Sequence, residues 1–202
     1  MASQIAHIIY AQKYFEKYPS TIDKDEFLLG CAFPDIRRIA ENISRKDTHM
    51  RFSPLDLNFE GLTSFQAGWK FHTYCDMRRE EILNKYKFYT IKDTDKFWNN
   101  PTKQLEDSLV YKDYNNWEKV ISYFNNVPKI ETGLNISQET LSLWYAVIAK
   151  YLEKKPDDKS MHIYLSKIGF ESEADEMILV IDKLRKNEKV IEVLKKIKGE
   201  IV

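Results

Sequence analysis

Residues 63–88, TSFQAGWKFHTYCDMRREEILNKYKF, contain no proline and repeat their apolar side chains with a helical period. Phe65, Gly68, Trp69, His72, Cys75, Arg79, Ile82, Leu83 and Tyr86 fall on one stripe, with Asp76 at its edge. Such a stripe has to be covered by other elements, so a helix from Thr63 or Ser64 to about Phe88 forms the spine of the molecule. His72 therefore faces the interior, and a buried histidine beside a buried carboxylate needs a partner, which a metal ion supplies to both. His72 and Asp76 stand four residues apart, so their side chains project together and can reach one ion.

The same periodicity recurs along the chain, and only six glycines and six prolines interrupt 202 residues. An all-α protein is expected, with residues 1–202 as a single multi-helix domain. Ser3 opens a first helix that runs to about Tyr18 and ends at Pro19. Asp23 or Asp25 starts a short segment through Phe27, Leu28 and Leu29, closed by Gly30 and Pro34. Residues Ile36 to Ile43 make another short helix, and the chain from Thr48 to Gly61 is irregular. Asn100-Pro101, a cap followed by proline, begins a helix through Leu105, Leu109 and Tyr111. Asn115 or Asn116 begins the next, around Trp117, Val120 and Phe124. Additional helices fill 133–202. One spans Ser137 to Leu152, and a second passes through Met161, Tyr164, Leu165 and Ile168 to a C-cap at Gly169. A third opens on the capping-box-like Ser172-Glu-Ala-Asp175, and KVIEVLKKIKGEIV adds an amphipathic turn or two.

Lysine plus arginine and aspartate plus glutamate balance at 31 each. A neutral chain has no global field to draw it onto a nucleic-acid polymer or an anionic membrane. No stretch approaches the ~20 apolar residues of a membrane span. The start MASQIAHIIYAQKYFEKYPS has no basic leader, so a cytoplasmic location is expected. Cys31 and Cys75 form no framework. They read as reduced thiols, though a disulfide between them and thiolate ligation by Cys75 stay open.

Three of the four histidines belong to an acid-interleaved series: His7, Asp35, His49, then His72-x-x-x-Asp76. Neutral imidazole and carboxylate are ligands for zinc and similar divalent ions. The His72/Asp76 pair alone suits a hydrogen-bonded core histidine equally well, but His49 in DTH and Asp35 in FPD move the reading to metal. Pro34 favours an abrupt turn that can aim Asp35 into a cleft. His162 sits on an ordinary amphipathic segment. Glu106 and Asp107 follow Leu105, where a solvated helix face is the ordinary use of such acids. Asp107 becomes an additional ligand if that helix borders the cleft. Arg37 and Arg38 can pair with a phosphate or with a ligand carboxylate.

The segment FLLGCAFPDIRR resembles the FLLG-x-x-x-PDI stretch of the zinc-dependent phospholipase C family, which is related to the P1-type nucleases. His49 in DTHMRF is similar to the histidine that follows the PDI aspartate in that family. Ala67-Gly68-Trp69-Lys70-Phe71-His72-Thr73-Tyr74-Cys75-Asp76 resembles its AG-x-x-H-x-x-x-D helix, and His7 its early histidine. The likeness covers residues 5 to about 82. It implies the phospholipase C / P1 nuclease-like fold with additional C-terminal helices. It also implies metal-ligand roles for Asp35, His49, His72 and Asp76, with Asp76 able to bridge, and for His7 on an adjacent second ion. Fuller family sites use further histidines and a processed amino terminus. Neither is evident here, so one or two divalent ions, zinc first, are expected.

These readings converge on a metal-dependent hydrolase of a phosphoester, whether phospholipid, nucleotide or small phosphodiester. Asp35 would orient the attacking water or accept its proton. An HD-type phosphohydrolase is disfavoured because the chain has no adjacent His-Asp doublet. A helical binding or scaffold protein with a structural metal is the alternative from a different class. The C-terminal helices offer a surface for a partner or a homo-oligomer.

Overall fold

The computed structural model describes residues 3–94 and 101–202. Among them are ten α-helices and no strand: α1 (Gln4–Lys17), α2 (Lys24–Ala32), α3 (Arg45–Thr48), α4 (Ser64–Lys85), α5 (Thr102–Val110), α6 (Trp117–Asn125), α7 (Gln138–Leu152), α8 (Asp158–Lys167), α9 (Ala174–Arg185) and α10 (Glu188–Glu200). The all-α expectation holds. Among the described residues no helix is long and apolar enough to cross a membrane.

The spine forms as its sequence dictates. Thr63 and Gln66 close a reciprocal capping box at the start of α4, satisfying two backbone N–H groups that would otherwise lack partners. The stripe of α4 is buried from Phe65 to Leu83, His72 and Arg79 included. Its main partner is α2, and the two backbones nearly touch. A Cβ on Gly30 would lie 2.0 Å from the Phe65 carbonyl oxygen, and one on Gly68 would lie 2.0 Å from the Phe27 carbonyl oxygen. Gly30 therefore serves inside α2 as a crossing point; it does not end the helix as its composition suggests.

The end of α2 is held by the C-terminal half of the chain. Trp144 Nε1 donates to the Ala32 carbonyl at 2.9 Å, and the Tyr145 hydroxyl donates to that of Leu29 at 2.9 Å. Both lie in the last turn, where a helix leaves carbonyls short of partners, and that of Leu29 also accepts the Phe33 N–H. Residues 133–202 thus brace the helix that leads into Asp35.

Several local expectations need correction. No helix forms over 36–43. The chain instead makes a tight 3-10 turn at Phe33–Arg38, with Pro34 in its first turn, and then the four-residue α3. Ser172–Asp175 makes no capping box: Glu173 is the N-cap of α9 without a side-chain bond. The tail is a full 13-residue helix, α10. Asn100 lies outside the described residues, and Pro101 takes the N-cap position of α5. Gly169 behaves as expected. At φ +84 it follows α8, and the next N–H, that of Phe170, bonds back to Leu165 at 3.0 Å.

The largest departure concerns α5. Lys103, Gln104, Glu106, Asp107 and Ser108 are all buried there, so the acids do not form a solvated face. Arg79 explains this. Its Nε donates to Glu106 Oε2 at 2.7 Å, its terminal nitrogen reaches the Thr102 hydroxyl at 3.3 Å, and the Tyr10 hydroxyl donates to the other Glu106 oxygen. One fully buried carboxylate therefore ties α1, α4 and α5 together.

Two glycine substitutions test the crossing by urea denaturation. Gly68→Ala is expected to lose about 3 kcal/mol or more, because backbone atoms have to separate. Gly199→Ala, in α10 with nothing within 4 Å of its added Cβ, is expected to gain up to about 1 kcal/mol from helix propensity alone.

Candidate metal centre

Four elements deliver the five side chains singled out in the sequence to one place. His7 comes from α1, Asp35 from the 3-10 turn, His49 from the residue capping α3, and His72 with Asp76 from α4. Two overlapping groups, His7–His72–Asp76 and Asp35–His49–His72, each bring their ligand atoms within 4.8 Å of one another. His7 and His72 are fully buried and stack with ring centres 3.9 Å apart.

The orientation of each ring follows from its outer nitrogen. His72 Nδ1 lies 2.7 Å from the Cys31 carbonyl oxygen, and His7 Nδ1 lies 2.9 Å from that of Ser3. A carbonyl only accepts, so both rings carry their proton on Nδ1, and in the neutral form Nε2 is a lone pair turned inward. Trp69 Nε1 donates to the Thr48 carbonyl at 2.6 Å, which fixes the next residue, His49, against α4. His49 Nδ1 lies 2.9 Å from the Thr48 hydroxyl, and its Nε2 is 3.2 Å from that of His72.

The carboxylates complete the group. Asp76 Oδ1 is 3.6 Å from His7 Nε2, while Oδ2 is 3.7 Å from His49 Nε2 and 3.8 Å from His72 Nε2. Its two oxygens thus address different imidazoles. Asp35 Oδ2 accepts from Gln4 Nε2 at 3.1 Å, leaving Oδ1 at 3.7 Å from His49 Nε2.

Protonation states suit a cation site. Burial lowers the His49 imidazole to about 4 and holds that of His72 well below its ordinary 6.5. Burial opposes the Asp35 charge, yet the facing imidazoles of His72 and His49 and the Lys103 ammonium hold its carboxyl well below the usual range. Asp76 is likewise held low against burial, with His72 and His7 among the causes. Neutral imidazole and ionised carboxylate are the forms that bind a divalent ion.

The residues fit such an ion on independent grounds. Among the described residues His7 Nε2 is buried with no hydrogen-bond partner, Asp76 standing 3.6 Å away, and an ordinary core histidine avoids that state. The donor set, imidazole nitrogen with carboxylate oxygen, is of the zinc type. His72 has only one nitrogen to offer, so the donors suit one ion, or two that share Asp76.

The remaining candidates fall elsewhere. Asp107 is not in either group; its Oδ1 accepts the Ala6 N–H at 2.9 Å, and burial raises its carboxyl to about 7. His162 is partly exposed and pairs with Asp175 at 3.1 Å. Cys31 and Cys75 are free, buried thiols pushed up by burial. Arg37 reaches within 3.6 Å of Asp35 Oδ1. Sequence reasoning missed Arg45, whose terminal nitrogen is 3.6 Å from Asp76 Oδ2, because the four-residue α3 has no periodic signal. It also missed Lys103, which shares a cavity of about 30 Å³ with Asp35, Gln4, Gln104 and Arg38. Burial lowers the Lys103 ammonium to about 8.

No family model, curated protein or solved structure matches this chain.

His72→Ala and Asp76→Ala are each expected to abolish zinc binding, while His162→Ala leaves it intact, as read by elemental analysis after dialysis. The depressed imidazoles also set a pH window. At His49 and His72 protons compete with the ion only below the ordinary imidazole range, so zinc uptake should persist below pH 6.5 and fail near the His49 value of about 4. A half-point at or above pH 6.5 in a zinc titration would contradict this assignment.

Proposed function

We propose that this protein is a metal-dependent hydrolase of a phosphoester, holding one or two zinc-type ions on His7, Asp35, His49, His72 and Asp76. The observation that carries the reading is the convergence of three imidazole Nε2 atoms and two carboxylates, with the buried Nε2 of His7 making no hydrogen bond among the described residues. The likeness of FLLGCAFPDIRR and of the His72/Asp76 helix to the zinc-dependent phospholipase C family points the same way. A bound ion of this kind supplies Lewis-acid assistance to a phosphoryl oxygen and a nucleophile at neutral pH.

The chain's own residues supply the rest. Gln4 holds one oxygen of Asp35, so the other is presented on the partly exposed edge of the cluster, where it can orient a water and take its proton. Arg37 stands beside it, and Arg45 stands beside Asp76. His7 and His72 lie behind, out of solvent.

A closed structural metal site in a binding protein is the second reading, favoured by the near-complete burial of the histidines. The edge at Asp35, 13% exposed, and Arg45, 47% exposed, favours access. Zinc-loaded protein is expected to hydrolyse a small phosphoester, with activity rising as pH approaches neutrality, because the attacking water has to lose a proton. Asp35→Asn should lower turnover by more than it lowers zinc content. A fully loaded protein inactive on monoester, diester and phospholipid panels would favour the structural site.

A further inference from the structure

Resting on the hydrolase reading, the charges around the cluster narrow its substrate. We propose that Arg37 and Arg45 form a two-guanidinium clamp for a terminal phosphate dianion, so that the site takes phosphomonoesters in preference to diesters.

The two arginines come from different elements, and one stands beside each of the two carboxylates. Arg37 lies two residues past Asp35 in the 3-10 turn, with its terminal nitrogen 3.6 Å from Asp35 Oδ1. Arg45 is the first residue of α3, with its terminal nitrogen 3.6 Å from Asp76 Oδ2. Among the described residues Arg37 Nε is buried with no hydrogen-bond partner, a cost that an arriving oxyanion would remove. On the other side of Asp35, Arg38 and the buried Lys103 face it across the small cavity that Gln4 and Gln104 also line.

Cationic side chains thus stand beside both carboxylates. A divalent ion adds further positive charge. A phosphomonoester carries about −1.5 to −2 near neutral pH, whereas a diester carries a single negative charge. Guanidinium groups also match phosphate oxygens in pairs. Shape agrees with charge. His7 and His72 are 0% exposed, and the site meets solvent at Asp35, Arg37 and Arg45. The end of a molecule fits such an edge better than the middle of one.

Isothermal titration of the zinc-loaded full chain with inorganic phosphate and with dimethyl phosphate tests the clamp. Phosphate should bind at least about tenfold more tightly than dimethyl phosphate. Arg45→Gln and Arg37→Gln should each weaken phosphate by about tenfold or more, the loss of one charge-assisted contact, at unchanged zinc content. Lys46→Gln, an exposed neighbour, should leave phosphate affinity unchanged. Arg37 is mostly buried, so the half-exposed Arg45 gives the deciding variant. Phosphate affinity within twofold of the parent in zinc-loaded Arg45→Gln overturns the clamp, as does equal binding of dimethyl phosphate or no phosphate binding at all. Arg45-dependent phosphate binding by a protein that hydrolyses nothing upholds the clamp and removes the hydrolase. Phosphomonoester turnover indifferent to Arg45→Gln does the reverse.

Discussion

At the crossing of α2 and α4, Gly30 and Gly68 each let the opposite backbone approach to where a Cβ would stand. Close approach fixes the two helices in register as well as in distance. The Cys31 carbonyl then falls 2.7 Å from His72 Nδ1, so helix packing itself selects the histidine tautomer. The chain leaving α2 enters the 3-10 turn at Phe33, which brings Asp35 to the same end of α4. Phe33 packs edge-on against Trp69, and Trp69 in turn holds the Thr48 carbonyl. Three of the five candidate ligands are thus placed by one helix pair and the turn beside it.

The placing of His7 depends on an unusually polar interior. α1 brings His7 to the cluster, and its first turn is held by Asp107, which accepts the Ala6 N–H. One turn further on, Tyr10 reaches Glu106, the partner of Arg79. Removing one member of such a buried pair typically costs about 3–5 kcal/mol, because the other charge stays behind. Replacing both by apolar groups can be neutral. The polar network therefore does more to specify position than to add stability. It sets the rotation of α1 about its axis, and with it the direction in which His7 points.

What could be read from the sequence follows from which residues carry periodic signals. His72 and Asp76 lie on a long, capped helix with an unbroken stripe, so their side-by-side projection was legible. Asp35 and His49 lie on a tight turn and at the end of a one-turn helix. Pattern alone does not place them, and they entered through spacing and family likeness. Glu106 and Asp107 were misjudged because an acid on an amphipathic helix ordinarily faces water. The clue was elsewhere: Arg79 sits within the apolar stripe of α4, and a buried guanidinium demands a buried acid. Which acid answers that demand depends on how α5 docks, and local sequence does not encode it. Arg45 and Lys103 stayed hidden for the same reason.

The three imidazoles are not equivalent, and the difference lies in what each outer nitrogen meets. The Ser3 and Cys31 carbonyls only accept, so His7 and His72 keep Nδ1–H and turn a lone pair inward. Thr48 offers a hydroxyl, which donates or accepts. His49 can therefore hold its proton on either nitrogen without losing that contact. Its Nε2 stands 3.2 Å from that of His72, and two lone pairs do not face each other at that distance. Either a proton on His49 or a cation between the rings has to separate them. The cluster thus has two fixed donors and one adaptable one, and the adaptable ring stands next to Asp35, at the edge nearest solvent. A proton or a metal ion can occupy the space between His49 and His72, while the Ser3 and Cys31 carbonyls hold the His7 and His72 rings in place.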